Sequence, residues 1–273
     1  MRNSREVHPT SIIGKNVKLG KNVIIKPYAI IEDDVEIGDF TEIGPFVHIY
    51  RDVKIGKNCK IFDGVIIGAA PQDLNYKGES TNVVIGDNNV IHEYTTIHKA
   101  TGEGNSTIIG NGNFIMAYVH IAHNCLIEDN VIVANGSQIA GYVKIERNAF
   151  ISGLCAVHQF VRIGRYTMIG GKCRVPNDVI PFSLIAGEPP KLIDVNRVGL
   201  RRAGFLRETI DVLHRAMRIL RKGISIPERI ERIKKDVFGF LGKKVKFLVL
   251  PTDEELMIAT LTYNLLKREK CSG

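Results

Sequence analysis

Large aliphatic residues recur at every sixth position over more than half of this chain. Stepping by six from Ile13 to Val175 meets Ile, Leu or Val at 25 of 28 positions. The misses are Asp73, Glu79 and Glu103, and the phase survives all three. The fourth residue after most hits is small or β-branched, as at Val17, Ala29, Thr41, Cys59, Val131 and Ala149, and glycine often follows the hit, as at Gly38, Gly56 and Gly164. A period of six matches neither a helix nor a long strand with strict alternation. It matches short strands joined by fixed corners, each sending one large aliphatic inward. That is the hexapeptide repeat of a parallel β-helix, in which a repeat buries its apolar face only by stacking on its neighbours. A coiled coil is excluded, because six is not a heptad.

Two segments interrupt the repeat, at about 69–82 (AAPQDLNYKGEST at its heart) and 98–108 (HKATGEGNST). Insertions in a solenoid leave as loops from one face, often the binding face. Leu74 and Tyr76 beside Asp73 suit a structured lid. Beyond Val175, Pro176, Pro181, Pro189 and Pro190 disfavour regular structure. The pattern then turns helical. Leu206, Ile210, Leu213, Met217 and Leu220 line one face, with Gly223 as the stop. Ser225, Pro227 and Glu228 open a second helix bearing Ile226, Ile230, Ile233 and Val237, and Thr252 with Glu255 opens a third through Leu256, Leu261 and Leu265. The expected organisation is an all-β solenoid over 1–187 and a small α-helical domain over 188–273.

Charge sharpens this division. The formal net charge is +8, and residues 189–273 hold 19 Lys and Arg against 10 Asp and Glu, so the basic excess belongs to the C-terminal part. A basic surface attracts phosphates, nucleic acid or acidic proteins, but no nucleic-acid module is visible. No apolar run reaches the roughly 20 residues of a membrane helix, and MRNSREVHPT lacks the apolar core of a signal peptide. Cys59, Cys125, Cys155 and Cys173 fall on the small inward position, and Cys271 lies near the C-terminus. They read as reduced, buried residues without disulfide or zinc spacing, so a cytoplasmic location without membrane insertion is expected.

The repeat resembles that of the hexapeptide-repeat transferases, which implies left-handed triangular coils of 18 residues. Residues 18 apart then stack on successive coils, roughly 4.8 Å apart. From His123 such a column reaches Gly141 and Gln159; from Ala122 it reaches Ala140 and His158. His120 and His123 flank the inward Ile121. A histidine base beside a glycine amide suits acyl transfer, the amide stabilising an oxyanion. No serine–histidine nucleophile pair is evident, which favours direct attack by an acceptor hydroxyl.

APQDLNYKGE, TTIHKATGEG, HIAHNC, AVHQF and VNRVGLRRAGF, in this order, resemble the UDP-N-acetylglucosamine O-acyltransferase family over nearly the whole chain. The resemblance implies transfer of a 3-hydroxyacyl chain from acyl carrier protein to the sugar 3-hydroxyl, the first step of lipid A biosynthesis, with no cofactor and no metal. It implies His123 as general base and the Gly141 amide as oxyanion donor. It implies Asp73, His98, His120, His158, Gln159, Asn196 and Arg202 around sugar nucleotide and acyl chain. Gly171, with Met168 near it, is implied to set acyl length, the glycine leaving room for a chain as long as 3-hydroxymyristate. A homotrimer with sites between solenoids is implied, and the basic C-terminal part suits an acidic carrier protein.

Several positions depart from the family pattern. Asn124 stands where an aspartate often follows the base, Asn75 replaces a frequent lysine, Tyr142 a frequent histidine and Val198 a frequent glutamate. Some relatives use an acceptor with a 3-amino group, and these substitutions bear on that choice; the hydroxyl acceptor is the expected one. A related N-acyltransferase carries a further N-terminal domain, and here the repeat starts by Ile13. A solenoid carbonic anhydrase would use His98, His120 and His123 as zinc ligands, but H-x-x-H is closer than that class requires. A non-catalytic scaffold would leave both loops and the histidine column unexplained.

Overall fold

The computed structural model describes residues 6–221, Glu228 and Arg232, and the strands Lys246–Leu250 and Met257–Thr262. The repeat folds as a left-handed parallel β-helix with three faces. Face A is an 11-stranded sheet that begins at Glu6–Val7 and includes Phe150–Ile151, Met168–Ile169 and Ser183–Ala186. Face B has nine strands, among them His120–Ile121, Gln138–Ile139, Ala156–Val157 and Arg174–Val175. Face C has eight, among them Leu126–Ile127 and Lys144–Ile145. Most strands are two residues long: the first residue faces out and the second is the inward aliphatic. Ile31, Ile49, Ile97, Ile121, Ile139 and others of their kind are fully buried in one continuous column. Each such burial is worth about 2–3 kcal/mol relative to exposure.

The lengths of the coils explain why the phase survives the loops. An ordinary coil advances 18 residues, as from Ile31 to its partner Ile49. The first loop lengthens the step from Ile67 to Ile97 to 30, and the second lengthens that from Ile97 to Ile121 to 24. The additions, 12 and 6, are both multiples of six. At the far end the step shortens to 16, from Ile169 to Ile185 and from Ile163 to Val179. The solenoid therefore continues past Val175, where the sixfold pattern is lost.

Most corners bend through a residue in the left-handed region, three places after the inward aliphatic. Twenty non-glycine residues adopt it, including Asn22, Asp34, Asn124, Tyr142 and Phe160. Asn and Asp tolerate this conformation; aromatic residues do so at a cost. The ladder holds many of them in place, as where Tyr142 N–H donates to the His123 carbonyl and Phe160 N–H to that of Gly141.

Face A ends in Lys191–Val195, which pairs antiparallel with Ser183–Ala186. Two helices follow, α1 (Arg197–Arg202) and α2 (Arg207–Leu220). Ile210, Leu213 and Met217 of α2 pack with Leu200, Val195 and Phe182, so most of the helical stripe read from the sequence is buried, whereas Leu206, its first member, precedes the helix and is exposed. The helix expected from Ser225 to Val237, like Gly223, lies outside the described residues apart from Glu228 and Arg232, which are helical. The third expected helix is corrected. Met257–Thr262, which includes Leu261, is a strand antiparallel to Lys246–Leu250, while Thr252, Leu256 and Leu265 lie outside the described residues. Runs such as MIATLT and KFLVL are rich in β-branched and apolar residues, and pairing overrides the weak spacing of the leucines. Among the described residues, no helix is long and apolar enough to cross a membrane.

Candidate active site

Face B carries a cleft of about 440 Å³ whose walls include His120, His123, Gly141, His158, Gln159 and Arg174. The ladder builds it, because His120, Gln138, Ala156 and Arg174 are paired neighbours along one outward column. His123 stands on the corner between faces B and C, with Gly141 and Gln159 on the next two coils. His123 is only 6% exposed. Tyr142 meets its ring edge-on, with centroids 5.3 Å apart.

The hydrogen bonds of His123 fix what it can do. Nδ1 lies 2.9 Å from Asn124 Oδ1, which can only accept, so Nδ1 carries the proton. Nε2 is then the basic atom. It lies against Gly141: a Cβ on that residue would stand 2.6 Å from Nε2 and from Cε1. The Gly141 N–H has no hydrogen-bond partner among the described residues. At the same corner on earlier coils, Lys15 N–H donates to Asp33 (2.7 Å) and Arg51 N–H to Glu32 (3.1 Å). A bare nitrogen base and an uncommitted amide thus lie side by side.

Two further histidines back this pair. His120 Nδ1 lies 2.8 Å from Thr96 Oγ1, and its ring meets His98 edge-on at 4.9 Å. Burial, then the neighbouring His98 and His123, push the His120 pKa down to about 4. Burial also lowers that of His98, whose Nδ1 is buried without a partner. Both rings are therefore neutral near pH 7.

The other expected residues are placed less uniformly. His158 is exposed, its Nδ1 3.2 Å from the Gln159 carbonyl. Asp73 shapes the first loop by accepting from Asn75 N–H; its neighbour Gln72 reaches the cleft. Asn196 caps α1 by accepting from Gly199 N–H and donates to the Tyr166 carbonyl, and Arg202 ends that helix. Neither is among the residues lining the cleft of its own chain. Gly171 sits on the corner between faces A and B, with no atom closer than 3.5 Å to a Cβ placed there. Met168 lies on face A. Arg174, Gln138 and Thr101 were not singled out from the sequence. The first two stand at 18-residue spacing from His120, a signal the sequence contained; Thr101 is in the second loop and belongs to no column.

The chain is similar to known proteins over most of its length. The profile of the family described as UDP N-acetylglucosamine O-acyltransferase, domain 2, matches residues 178–248, and the bacterial transferase hexapeptide profile matches 34–69 and 106–141. Its relatives include several that carry the name acyl-[acyl-carrier-protein]–UDP-N-acetylglucosamine O-acyltransferase. That of Myxococcus xanthus is 44% identical over 86% of this chain and 92% of its own length. That of Gloeothece citriformis is 46% identical over 66% of each. The crystal structure of a UDP-N-acetylglucosamine acyltransferase from Bacteroides fragilis is 39% identical over 87% of this chain and 91% of its own, with a TM-score of 0.76.

Proposed function

Since the chain belongs to the acyl-[acyl-carrier-protein]–UDP-N-acetylglucosamine O-acyltransferase family, we propose that it moves a 3-hydroxyacyl chain from acyl carrier protein to the 3-hydroxyl of UDP-N-acetylglucosamine. The observation that carries this reading is the pairing of an unprotonated Nε2 on His123 with the free amide of Gly141. Nε2 takes the proton of the sugar hydroxyl as its oxygen attacks the thioester carbon, and the Gly141 N–H stabilises the oxyanion that forms. Collapse of the tetrahedral intermediate breaks the C–S bond, and the proton on Nε2 passes to the departing carrier thiolate. No covalent enzyme intermediate is required.

The reaction would stand at the start of lipid A biosynthesis, in a cytoplasmic enzyme whose four described cysteines are free and buried. Asp73, His98, His120, His158 and Gln159, with Arg174, would hold the sugar nucleotide and the acyl chain. We further propose a homotrimer. The corner between faces A and B carries a row of apolar side chains, Tyr28, Phe46, Tyr94, Tyr118 and Leu154, each 55–63% exposed. Such a row is costly in water and suited to a neighbouring solenoid. A neighbour would also bring Asn196 and Arg202 to a cleft they do not reach within their own chain. The basic C-terminal part would steer the acidic carrier.

The test is a paired transfer assay with 3-hydroxymyristoyl acyl carrier protein and either UDP-N-acetylglucosamine or its 3-amino analogue, with the product read by mass. An ester from the ordinary sugar is expected. An amide formed only from the analogue would overturn the acceptor assignment, and no product from either acceptor would overturn the reading.

A further inference from the structure

We infer that Thr101, carried by the second inserted loop, is a positioning residue that sets the tautomer of His123 by locking the side-chain amide of Asn124. This rests on the reading of His123 as the base. Thr101 is 8% exposed, and its peptide group clasps the amide from both sides. Thr101 N–H donates to Asn124 Oδ1 at 2.9 Å, and Asn124 Nδ2–H donates to the Thr101 carbonyl at 3.0 Å. The Thr101 hydroxyl, 3.0 Å from the same Oδ1, must donate to it, so Tyr142, 3.0 Å from Thr101 Oγ1, is the donor there.

An asparagine amide has two orientations that differ by a half-turn, and the hydrogen bonds around it choose between them. Here only one satisfies both the N–H and the carbonyl of Thr101. That orientation turns Oδ1 toward His123 and obliges Nδ1 to carry the proton. In the reverse orientation Nδ2 would face the ring, Nδ1 would have to accept, and the proton would move to Nε2. A protonated Nε2 cannot act as the base. The loop itself is held: Asn105 Nδ2–H donates to the Thr101 carbonyl (3.0 Å), and Thr81 Oγ1–H donates to the Ala100 carbonyl (2.7 Å). The two bonds of the clasp together favour the productive orientation by about 25-fold, taking about fivefold for each. A carboxylate at 124 would accept in either orientation and would need no such lock. An amide beside the base requires Thr101.

The experiment is heteronuclear NMR of the ring nitrogens in the full-length protein labelled at histidine, with His123 assigned by comparison with His123→Ala. The spectrum requires no turnover, so it decides this inference even if the acyl-transfer reading fails. The wild type is expected to show a pyrrole-type Nδ1 and a pyridine-type Nε2. A variant with residues 101–105 replaced by two glycines is expected to show mixed tautomers and, with active enzyme, a kcat lowered in proportion to the lost Nδ1–H form, about twofold for an even mixture, with KM values unchanged. Adding Asn124→Asp to that variant is expected to restore the Nδ1–H form, a rescue that a merely structural loop would not permit. A pyridine-type Nδ1 in the wild type, or an unchanged tautomer in the loop variant, would overturn the inference. Should the loop variant fail to fold, the wild-type spectrum together with that of Asn124→Asp, expected to match it, decides the matter.

Discussion

Replacing Gly141 by alanine tests the contact on which the chemistry depends. Its backbone is not in the left-handed region, so alanine brings no conformational penalty of its own. The added methyl would stand 2.6 Å from both Nε2 and Cε1 of His123, about 0.8 Å inside ordinary contact. The ring cannot retreat freely, because Nδ1 is bonded to Asn124 and Tyr142 closes on its face. It must tilt about Nδ1, which swings Nε2 off its line to the acceptor hydroxyl. Displacement of a reacting group by about 1 Å can cost about 100-fold, or about 2.7 kcal/mol of transition-state stabilisation. Gly141→Ala is therefore expected to lower kcat about 100-fold and stability by about 1–3 kcal/mol through overpacking. Alanine keeps the N–H, so the loss reports position and not the missing donor. Initial rates with both substrates and a thermal melt provide the measurements. Gly153→Ala, where a Cβ would meet only the Asn135 carbonyl at 3.3 Å, serves as control and should leave kcat within about twofold. A folded Gly141→Ala enzyme with kcat within about threefold of wild type would refute the argument.

Other consequences can be measured alongside. His123→Ala should keep the oligomer and fold while losing at least about 100-fold in rate; near-normal turnover would remove His123 as base. His120 titrates near 4 in the fold and about 6.5 when unfolded. The unfolded chain therefore binds more protons between these values, and stability is expected to fall as the pH drops from about 6.5 toward 4. Melting His120→Gln over that range should give a flatter acid dependence; parallel curves would show that His120 is not the cause. Gly171→Met has room for its Cβ, with the nearest atom at 3.5 Å, and should shift donor preference toward shorter acyl chains in competition assays. An unchanged optimum would dismiss Gly171 as the determinant of length.

The solenoid was legible because one physical demand, an inward aliphatic at each corner-to-corner step, is met at 25 of 28 positions. Even the loops kept the phase, their added lengths being multiples of six. The pattern failed where a coil shortened, so Ile185 and Val179 were invisible as core although the structure buries them. The column from His123 to Gly141 and Gln159 was legible for the same reason, since stacking fixes which residues meet. What lay outside the columns was not. Thr101 approaches Asn124 from a loop whose path no period specifies. Asn196 caps a helix within its own chain, a local role that the solenoid period does not specify. The C-terminal strands were misread because a few leucines at near-helical spacing carry little information when β-branched residues lie between them.

The two ends of the solenoid are finished differently. At the first coil the inward Ile13 is 37% exposed and Val7 39%, whereas at the last Val179 and Ile185 are 4% and 9% exposed, next to Lys191–Val195 and the helical segment. Each coil leans only on its neighbours, so cohesion is lost most cheaply where the inward residues are least covered. The molecule should therefore melt with a polarity. Amide hydrogens near Ile12 and Ile30 would exchange first, with protection climbing coil by coil toward Ile139 and Ile163. The catalytic corner lies well along that gradient, so that fraying around the more exposed coils can proceed for several turns before the chemistry notices.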